Sequence, residues 1–414
     1  MDRNVEMARR IAAAVAEAGG STYYVGGLVR DRLLGRENKD IDIEVHGVSV
    51  RTLEGILDGL GKRTAMGESF GVMGLRHYEL DIAMPRSEKA TGRGHKDFEV
   101  FVDPFIGAEK AARRRDFTMN ALMQDVLTGE ILDFFGGRAD MAERRIRHVD
   151  DATFAEDPLR VFRAAQFAAR FGFTVAEETA RLSAGMAVDA LPRERVMGEL
   201  EKALLKSERP SVFFVELGRM RQLGLWFAEL AALPEDEWRR AMDTLDAAAA
   251  LRGMASAPLS FMLAALCVGL GNAGAKRLLA RLTNEVDTTR YALNLGERCR
   301  MAEDALRRES GEYQWMALLD GCVCPETLIL LARAQRAGRD AGWPKDEEKL
   351  RQVLALYRER MSRPFAMGRD LVEAGMQPGP GMGRALKRAH ELRLAGATKD
   401  EQLAAALALD AGGA

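Results

Sequence analysis

Tyr24-Val25-Gly26-Gly27-Leu28-Val29-Arg30-Asp31, with Lys39-Asp40-Ile41-Asp42-Ile43-Glu44-Val45-His46 close behind it, decides the fold of this chain. The first stretch reads as a strand running into paired glycines and then a helix. The second alternates with period two, polar at 40, 42, 44 and 46 and apolar at 41, 43 and 45. On a strand, Asp40 and Asp42 share a face, roughly 6.5–7 Å apart, while Ile41, Ile43 and Val45 turn to the core. Two carboxylates fixed on one rigid strand suit a pair of Mg²⁺ ions about 3.5–4 Å apart. Paired glycines let backbone approach a triphosphate closely, and a following helix start offers N–H donors. Arg30, in the first turn, adds a charge for phosphate. The competing reading is a plain strand–turn–helix corner beside an acidic exposed strand. The spacing of corner and aspartates favours a place where metal and triphosphate meet.

Around this stretch the first ~140 residues form a mixed α/β unit. Asn4–Ala18 has a helical pattern stopped by Gly19-Gly20, and Thr22–Val25 is β-rich. Gly71–Leu75, Glu79–Met84 and Phe98–Val102 read as further strands, a helix is expected to open at Thr118, and Ile131–Phe135 reads as one more short strand. A third carboxylate would complete the metal site or take the proton of an attacking hydroxyl. Asp81 in Tyr78-Glu79-Leu80-Asp81-Ile82-Ala83-Met84 is the candidate, with Glu79 its rival on the same face. From about Arg138 the strand signals vanish. Helix-period segments follow, among them Asp157–Phe171, Arg193–Lys206, Ser211–Leu223, Glu235–Ala250 and Phe261–Val268, and Pro378-Gly379-Pro380-Gly381 marks a loop.

Bulk composition sets limits. Hydrophobic residues at 47% and charged residues at 29% of 414 describe a soluble globular chain long enough for two to four domains. Apolar stretches such as Phe261–Leu270 fall short of the ~20 residues that cross a bilayer, so no membrane is expected. Met1–Arg10 is charged and lacks the apolar run of a secretory signal. Four scattered cysteines make neither a disulfide framework nor a two-pair zinc pattern, which points to reduced thiols and the cytoplasm. A net charge of −2 argues against coating nucleic acid non-specifically, yet leaves room for local basic surface at Arg113-Arg114-Arg115 or Arg144-Arg145-Ile146-Arg147.

Two later segments carry recognition chemistry. In Arg113-Arg114-Arg115-Asp116-Phe117-Thr118, Asp116 or Thr118 can cap a helix while Arg115 faces phosphate. In Glu156-Asp157-Pro158-Leu159-Arg160-Val161-Phe162-Arg163, proline suits the first helical turn and Asp157 the cap. Asp157, Arg160 and Arg163 recur every three residues and form one stripe. Such pairs are ordinarily surface ion pairs worth little. A carboxylate that only accepts, beside a guanidinium that only donates, also matches an exocyclic amino group next to an unprotonated ring nitrogen. Cytosine and adenine present that pattern, whereas uracil and guanine oppose it, each mismatch stranding polar groups at roughly 1–3 kcal/mol.

Taken together, the chain resembles the class II tRNA nucleotidyltransferases and bacterial poly(A) polymerases, part of the polymerase-β-like nucleotidyltransferases. The resemblance is carried by VGGLVRDRLLGRENKDIDIEV, RRRDFTMNAL, DFFGGRADM, EDPLRVFRAAQFAARFGF and RERVMGELEKAL over about residues 23–206, and by Gly368-Arg369-Asp370-Leu371 to Pro380 near the end. It implies an α+β fold: a nucleotidyltransferase head with a mixed β-sheet of about five strands, followed by an all-helical neck, body and tail, at 1–140, 141–210, 211–345 and 346–414. It implies addition or repair of the 3′-terminal CCA of tRNA from CTP and ATP with two Mg²⁺ ions, tRNA being gripped at its acceptor arm and 3′ end, partly by the tail. Poly(A) polymerase and CC-only or A-only addition stay open as alternatives.

Residue by residue, the family's roles fall on Gly26, Gly27, Arg30 and Arg115 for triphosphate and on Asp40 and Asp42 for metal. Asp157 and Arg160 are the amino-acid template, with Arg163 beside them. Asp133 and Gly136-Gly137 match a hinge. Glu194, Arg195, Glu199 and Lys202 match a supporting neck-helix motif. Arg86-Ser87-Glu88 with Gly92 and Gly94 resembles the loop tied to the switch from C to A addition. Gln166 departs from the pattern where a third arginine is common, and Glu44 and His46 are extra polar groups on the metal face. No His-Asp dipeptide occurs, so the phosphohydrolase domain of some relatives is expected to be absent.

Overall fold

The computed structural model describes residues 3–65, 72–90, 98–336 and 343–411. The chain divides into two compact units, Met1–Glu199 with Val212–Leu223, and Leu200–Ser211 with Gly224–Ala414. The first unit takes in both the head and most of the neck spans of the sequence reading.

Its sheet has seven strands among the described residues. They are β1 (Ser21–Val25), β2 (Ile41–His46), β3 (Arg63–Ala65), β4 (Val72–Leu75), β5 (Leu80–Ala83), and two shorter ones, Met123–Asp125 and Ile131–Leu132. The order β3-β4-β5-β2-β1 continues into these last two, two more strands than the five expected. Neighbours run antiparallel except β2 and β5, which are parallel and place Asp42 opposite Asp81. Ile41, Ile43 and Val45 are buried as their alternation requires, yet Glu44 and His46 are buried too. The polar face of β2 is therefore a solvent face only at its start.

Helix α1 (Arg3–Glu17) packs through Met7, Ala8, Ile11, Ala12 and Val15, spaced three and four apart. It ends at Gly19 and Gly20. A Cβ on Gly20 would lie 2.5 Å from the His46 carbonyl oxygen, so only glycine lets β1 leave α1 this close to the end of β2. Residues Arg86–Ala90 and Phe98–Val102 pair as a separate hairpin. Gly92 and Gly94 of the proposed switch loop lie outside the described residues, as does Gly71.

Three expectations change. Thr118 opens no α-helix: Thr118–Asn120 is one 3-10 turn leading straight to Met123. The run Ile131–Phe135 keeps only a two-residue strand, because the carboxylate of Asp133 is drawn off to accept the N–H groups of Gly137 and Arg138. Strands also do not vanish after Arg138, since Arg145–Ile146 pairs in parallel with Thr174–Val175.

The second unit is helical throughout its described residues. Pro258–Leu282 is long and apolar enough by composition to cross a membrane, contrary to the sequence expectation. Its first helix, Pro258–Cys267, is instead buried from Ser260 to Cys267, and a 3-10 turn and Gly271 at φ +66° break the stretch. Near the C-terminus Leu371, Met376, Ala385, Ala389 and Ala406 close a small core among Gly368–Glu373, Pro380–Ala395 and Lys399–Ala411. All four cysteines are unpaired, and burial pushes the Cys267 thiol up to about 12.

Candidate active site

Asp42 and Asp81 stand at paired positions of the two parallel strands, and both line one cavity of about 430 Å³. Burial, then the charge of Asp81 and finally that of Asp40, push the Asp42 carboxyl above its usual range against the pull of Arg115. Three negative groups crowd here with one compensating cation, which is the environment a hard divalent cation relieves. Asp40 lies one residue before β2, exposed, its N–H donating to Asn38 Oδ1 at 2.9 Å. Glu79 precedes β5, and the register of β5 on β2 sets Asp81 opposite Asp42. Among the described residues no three of His, Cys, Asp and Glu converge to hold an ion unaided. Two carboxylates with open positions suit a cation that completes its shell with water and phosphate oxygens.

Gly26, at φ +64°, and Gly27 make the corner between β1 and α2 (Gly27–Leu33). A Cβ on Gly26 would sit 3.6 Å from Arg115 Nη1, so that guanidinium stands directly over the corner. Arg115 Nη2 meets Glu44 Oε2 at 2.9 Å. Arg30 has other partners than the phosphate expected for it. It is 4% exposed, donates to Asp31 at 2.8 Å and to Asn120 Oδ1 at 2.7 Å, and stacks 4.7 Å above the Phe171 ring. It lines the same cavity as Gly26 and Gly27, paired there with Asp31.

The helix α3 (Leu159–Phe171) presents the expected stripe. Asp157, just ahead of the N-cap Pro158, accepts the Leu159 N–H at Oδ1 at 3.1 Å, while Oδ2 accepts from Arg195 at 2.8 Å. Arg160 donates to the carbonyls of Thr153 and Arg114. Arg163 donates through Nε to Asp116 Oδ2 at 2.8 Å. Each still has recognition capacity. A carboxylate has about four acceptor sites and a guanidinium five N–H donors, so these contacts leave some of each free. Gln166 is 2% exposed with its Nε2 buried and unpartnered, turned into the packing face of the helix.

Sequence reasoning missed Asp116 as an organiser. It is buried and accepts from Arg163, Asn120 Nδ2 and the Phe117 N–H. Burial pushes its carboxyl up, but Arg163 and Asn120 outweigh that and hold it below the usual range. Its adjacency to three arginines was the available signal, read as a cap. Arg195, assigned a supporting role, reaches a second cavity that shares Asp42, Arg115 and Arg160 with the one beside Asp81. That second cavity, about 430 Å³, is lined by Gly26, Gly27, Asp42, Arg115, Asp157 and Arg160 among others. Of the residues matched to a hinge, Gly136 is left-handed at φ +72°, and a Cβ on Gly137 would be 2.3 Å from the Thr118 carbonyl oxygen. The two basic clusters are largely paired internally, Arg113 with Glu109 and Asp150, Arg145 with Glu143, Arg147 with Asp140 and Glu178.

A mixed sheet that sets paired aspartates beside a glycine corner, under a helix bearing acceptor and donors, is the frame of a nucleotidyltransferase head. A family profile described as the poly(A) polymerase head domain matches residues 22–147. A multifunctional CCA protein of Stenotrophomonas maltophilia is 46% identical over 218 residues, 51% of this chain and 52% of that protein. A CCA-adding enzyme of Alteromonas mediterranea is 31% identical over 406 residues, 89% of this chain and 97% of that one. The chain belongs to the family of CCA-adding enzymes. The solved Thermotoga maritima CCA-adding enzyme complexed with tRNA has the same fold, at a TM-score of 0.71 and 22% identity over 99% of this chain and 96% of that one.

Proposed function

We infer that this chain is a tRNA nucleotidyltransferase that adds or repairs the terminal CCA of tRNA, taking CMP and AMP from CTP and ATP. The observation that carries this reading is the meeting, in one cavity, of Gly26, Gly27, Arg115 and Asp42 with Asp157, Arg160 and Arg163. Family membership supports the same reaction. The tRNA 3′-oxygen attacks the α-phosphorus, the bond to pyrophosphate breaks, and the nucleotide is left on the RNA. Asp42 and Asp81, with Asp40 beside them, would hold divalent cations, two Mg²⁺ in this proposal, which neutralise phosphate charge and favour the ionised hydroxyl. The glycine corner receives the triphosphate backbone-first, and Arg115 meets its charge. Asp157 accepts from the exocyclic amino group of cytosine or adenine while Arg160 donates to the neighbouring ring nitrogen, and Arg163 closes the site at the nucleotide. Arg30 and Asn120 form the wall behind. The C-terminal helices are assigned to tRNA, with head, neck, body and tail proposed at 1–140, 141–210, 211–345 and 346–414.

The test is product length at single-nucleotide resolution, with tRNAs ending at the discriminator base, at C and at CC, given Mg²⁺ and CTP, ATP or both. Three additions that stop at CCA are expected. A stall after CC, or extension only of the CC substrate, would assign half of a split activity. A long A ladder would assign poly(A) synthesis, and no extension of any substrate would overturn the reading.

A further inference from the structure

Glu44 and His46 are the polar residues of β2 to which the transfer reaction above gives no task, although both are buried. Their contacts form a line. The His46 ring sits edge-on to Tyr23 at 5.3 Å, and its Nε2 is 2.9 Å from Glu44 Oε1. The other oxygen, Glu44 Oε2, accepts from Arg115 Nη2 at 2.9 Å. Arg115 Nη1 is the nitrogen that stands over Gly26. One guanidinium is thus divided, with one terminal nitrogen anchored on Glu44 and the other presented to the glycine corner.

The division matters because Arg115 has rival partners. Its charge already acts on Asp42, and both residues line the two adjoining cavities. A guanidinium on a flexible stem goes to the best-placed carboxylate. Without the Glu44 charge, Arg115 would lose its anchor and leave the corner. We propose that Glu44, braced by His46, is a positioning residue that aims Arg115 at the triphosphate. The proposal rests on the nucleotide-transfer reading and adds to it a residue whose work is done through another.

The experiment is equilibrium binding of CTP and of ATP to the full chain in the absence of tRNA, together with KM and kcat on tRNA. The variants are Glu44→Gln, Arg115→Ala, the double variant, and Arg115→Lys. Glu44→Gln keeps the shape and removes the charge, and is expected to weaken both nucleotides alike by about tenfold, the scale of one charge-assisted contact. KM should rise with kcat within about twofold, the signature of lost uniform binding. On the Arg115→Ala background the same change should add less than about twofold, because coupled residues are not additive. Lysine cannot span two partners, so Arg115→Lys should match the Glu44→Gln loss. Unchanged affinity in Glu44→Gln, multiplying losses in the double variant, or wild-type binding by Arg115→Lys would each overturn the role. Should Glu44→Gln melt early, the partly exposed Arg115→Lys decides. A wild type that binds neither nucleotide would overturn the transfer reading and this one with it, whereas wild-type binding with Glu44→Gln unaffected overturns Glu44 alone.

Discussion

Replacing Asp116 by alanine tests how the site is held together. The Asp116 carboxylate is buried and takes donations from Arg163, Asn120 and the Phe117 N–H. Its loss strands Arg163, which is one-third exposed along its side chain and keeps Glu199 at 3.9 Å and the Phe167 ring beneath it. Breaking a buried pair from one side costs roughly 3–5 kcal/mol; partial exposure of Arg163 argues for the lower end. A unit of this size loses about 2–4 °C of Tm per kcal/mol, so a fall of roughly 6–12 °C is expected. Calorimetry on the full chain reads it. Arg163→Met added to Asp116→Ala removes the stranded charge and should recover part of the loss. A drop under about 3 °C, or a double variant at the sum of the singles, would refute the reasoning. The pH dependence has a definite sign. Folding lowers this carboxyl below its unfolded value, so its stabilisation is complete above the unfolded value and is lost as pH falls through the folded one. Wild type should therefore lose stability in acid more steeply than Asp116→Asn.

Asp157→Ala should raise UTP incorporation relative to CTP by about tenfold before turnover falls comparably, since one acceptor contact of roughly 1–3 kcal/mol is removed; competition between labelled nucleotides measures it, and an unchanged ratio counts against templating. Asp42 has the opposite linkage to Asp116: its folded carboxyl is raised, so its contribution is present below the unfolded value and lost as pH rises through the folded one. Mg²⁺ at about 100 times its Kd should then stabilise wild type at neutral pH by roughly 2.7 kcal/mol, while Asp42→Asn, already relieved of the charge, should be insensitive in the same melting series. Gly137→Ala should cost about 1–3 kcal/mol by overpacking against the Thr118 carbonyl, read by denaturant midpoint; a neutral result would mean that the turn yields.

The parts legible in the sequence were those encoded locally. Alternation placed Ile41, Ile43 and Val45 inside, the glycine corner and the aspartates fell at the expected spacing, and Pro158 and Asp157 marked the start of their helix. What escaped was set by partners far along the chain. Nothing in the sequence near Arg30 shows that it is buried over Phe171, 141 residues away. Asp116 looks like a cap until Arg163, 47 residues away, claims it. Thr118 looks like a helix start, but Asn120 is held by both Arg30 and Asp116, and Gly137 packs on the Thr118 carbonyl. Glu44 and His46 follow the polar half of the alternation yet are buried, Glu44 held between His46 and Arg115 and His46 left with Nδ1 unpartnered.

The two proposed base-reading groups are anchored in different currencies of inheritance. Arg160 hangs from the backbone carbonyls of Thr153 and Arg114, which any residue at those positions would supply. Asp157 is steadied by the side chain of Arg195, which a single codon change removes. Drift in base choice among descendants of this sequence should thus enter through position 195, while positions 114 and 153 are free to vary as long as the main chain keeps its path.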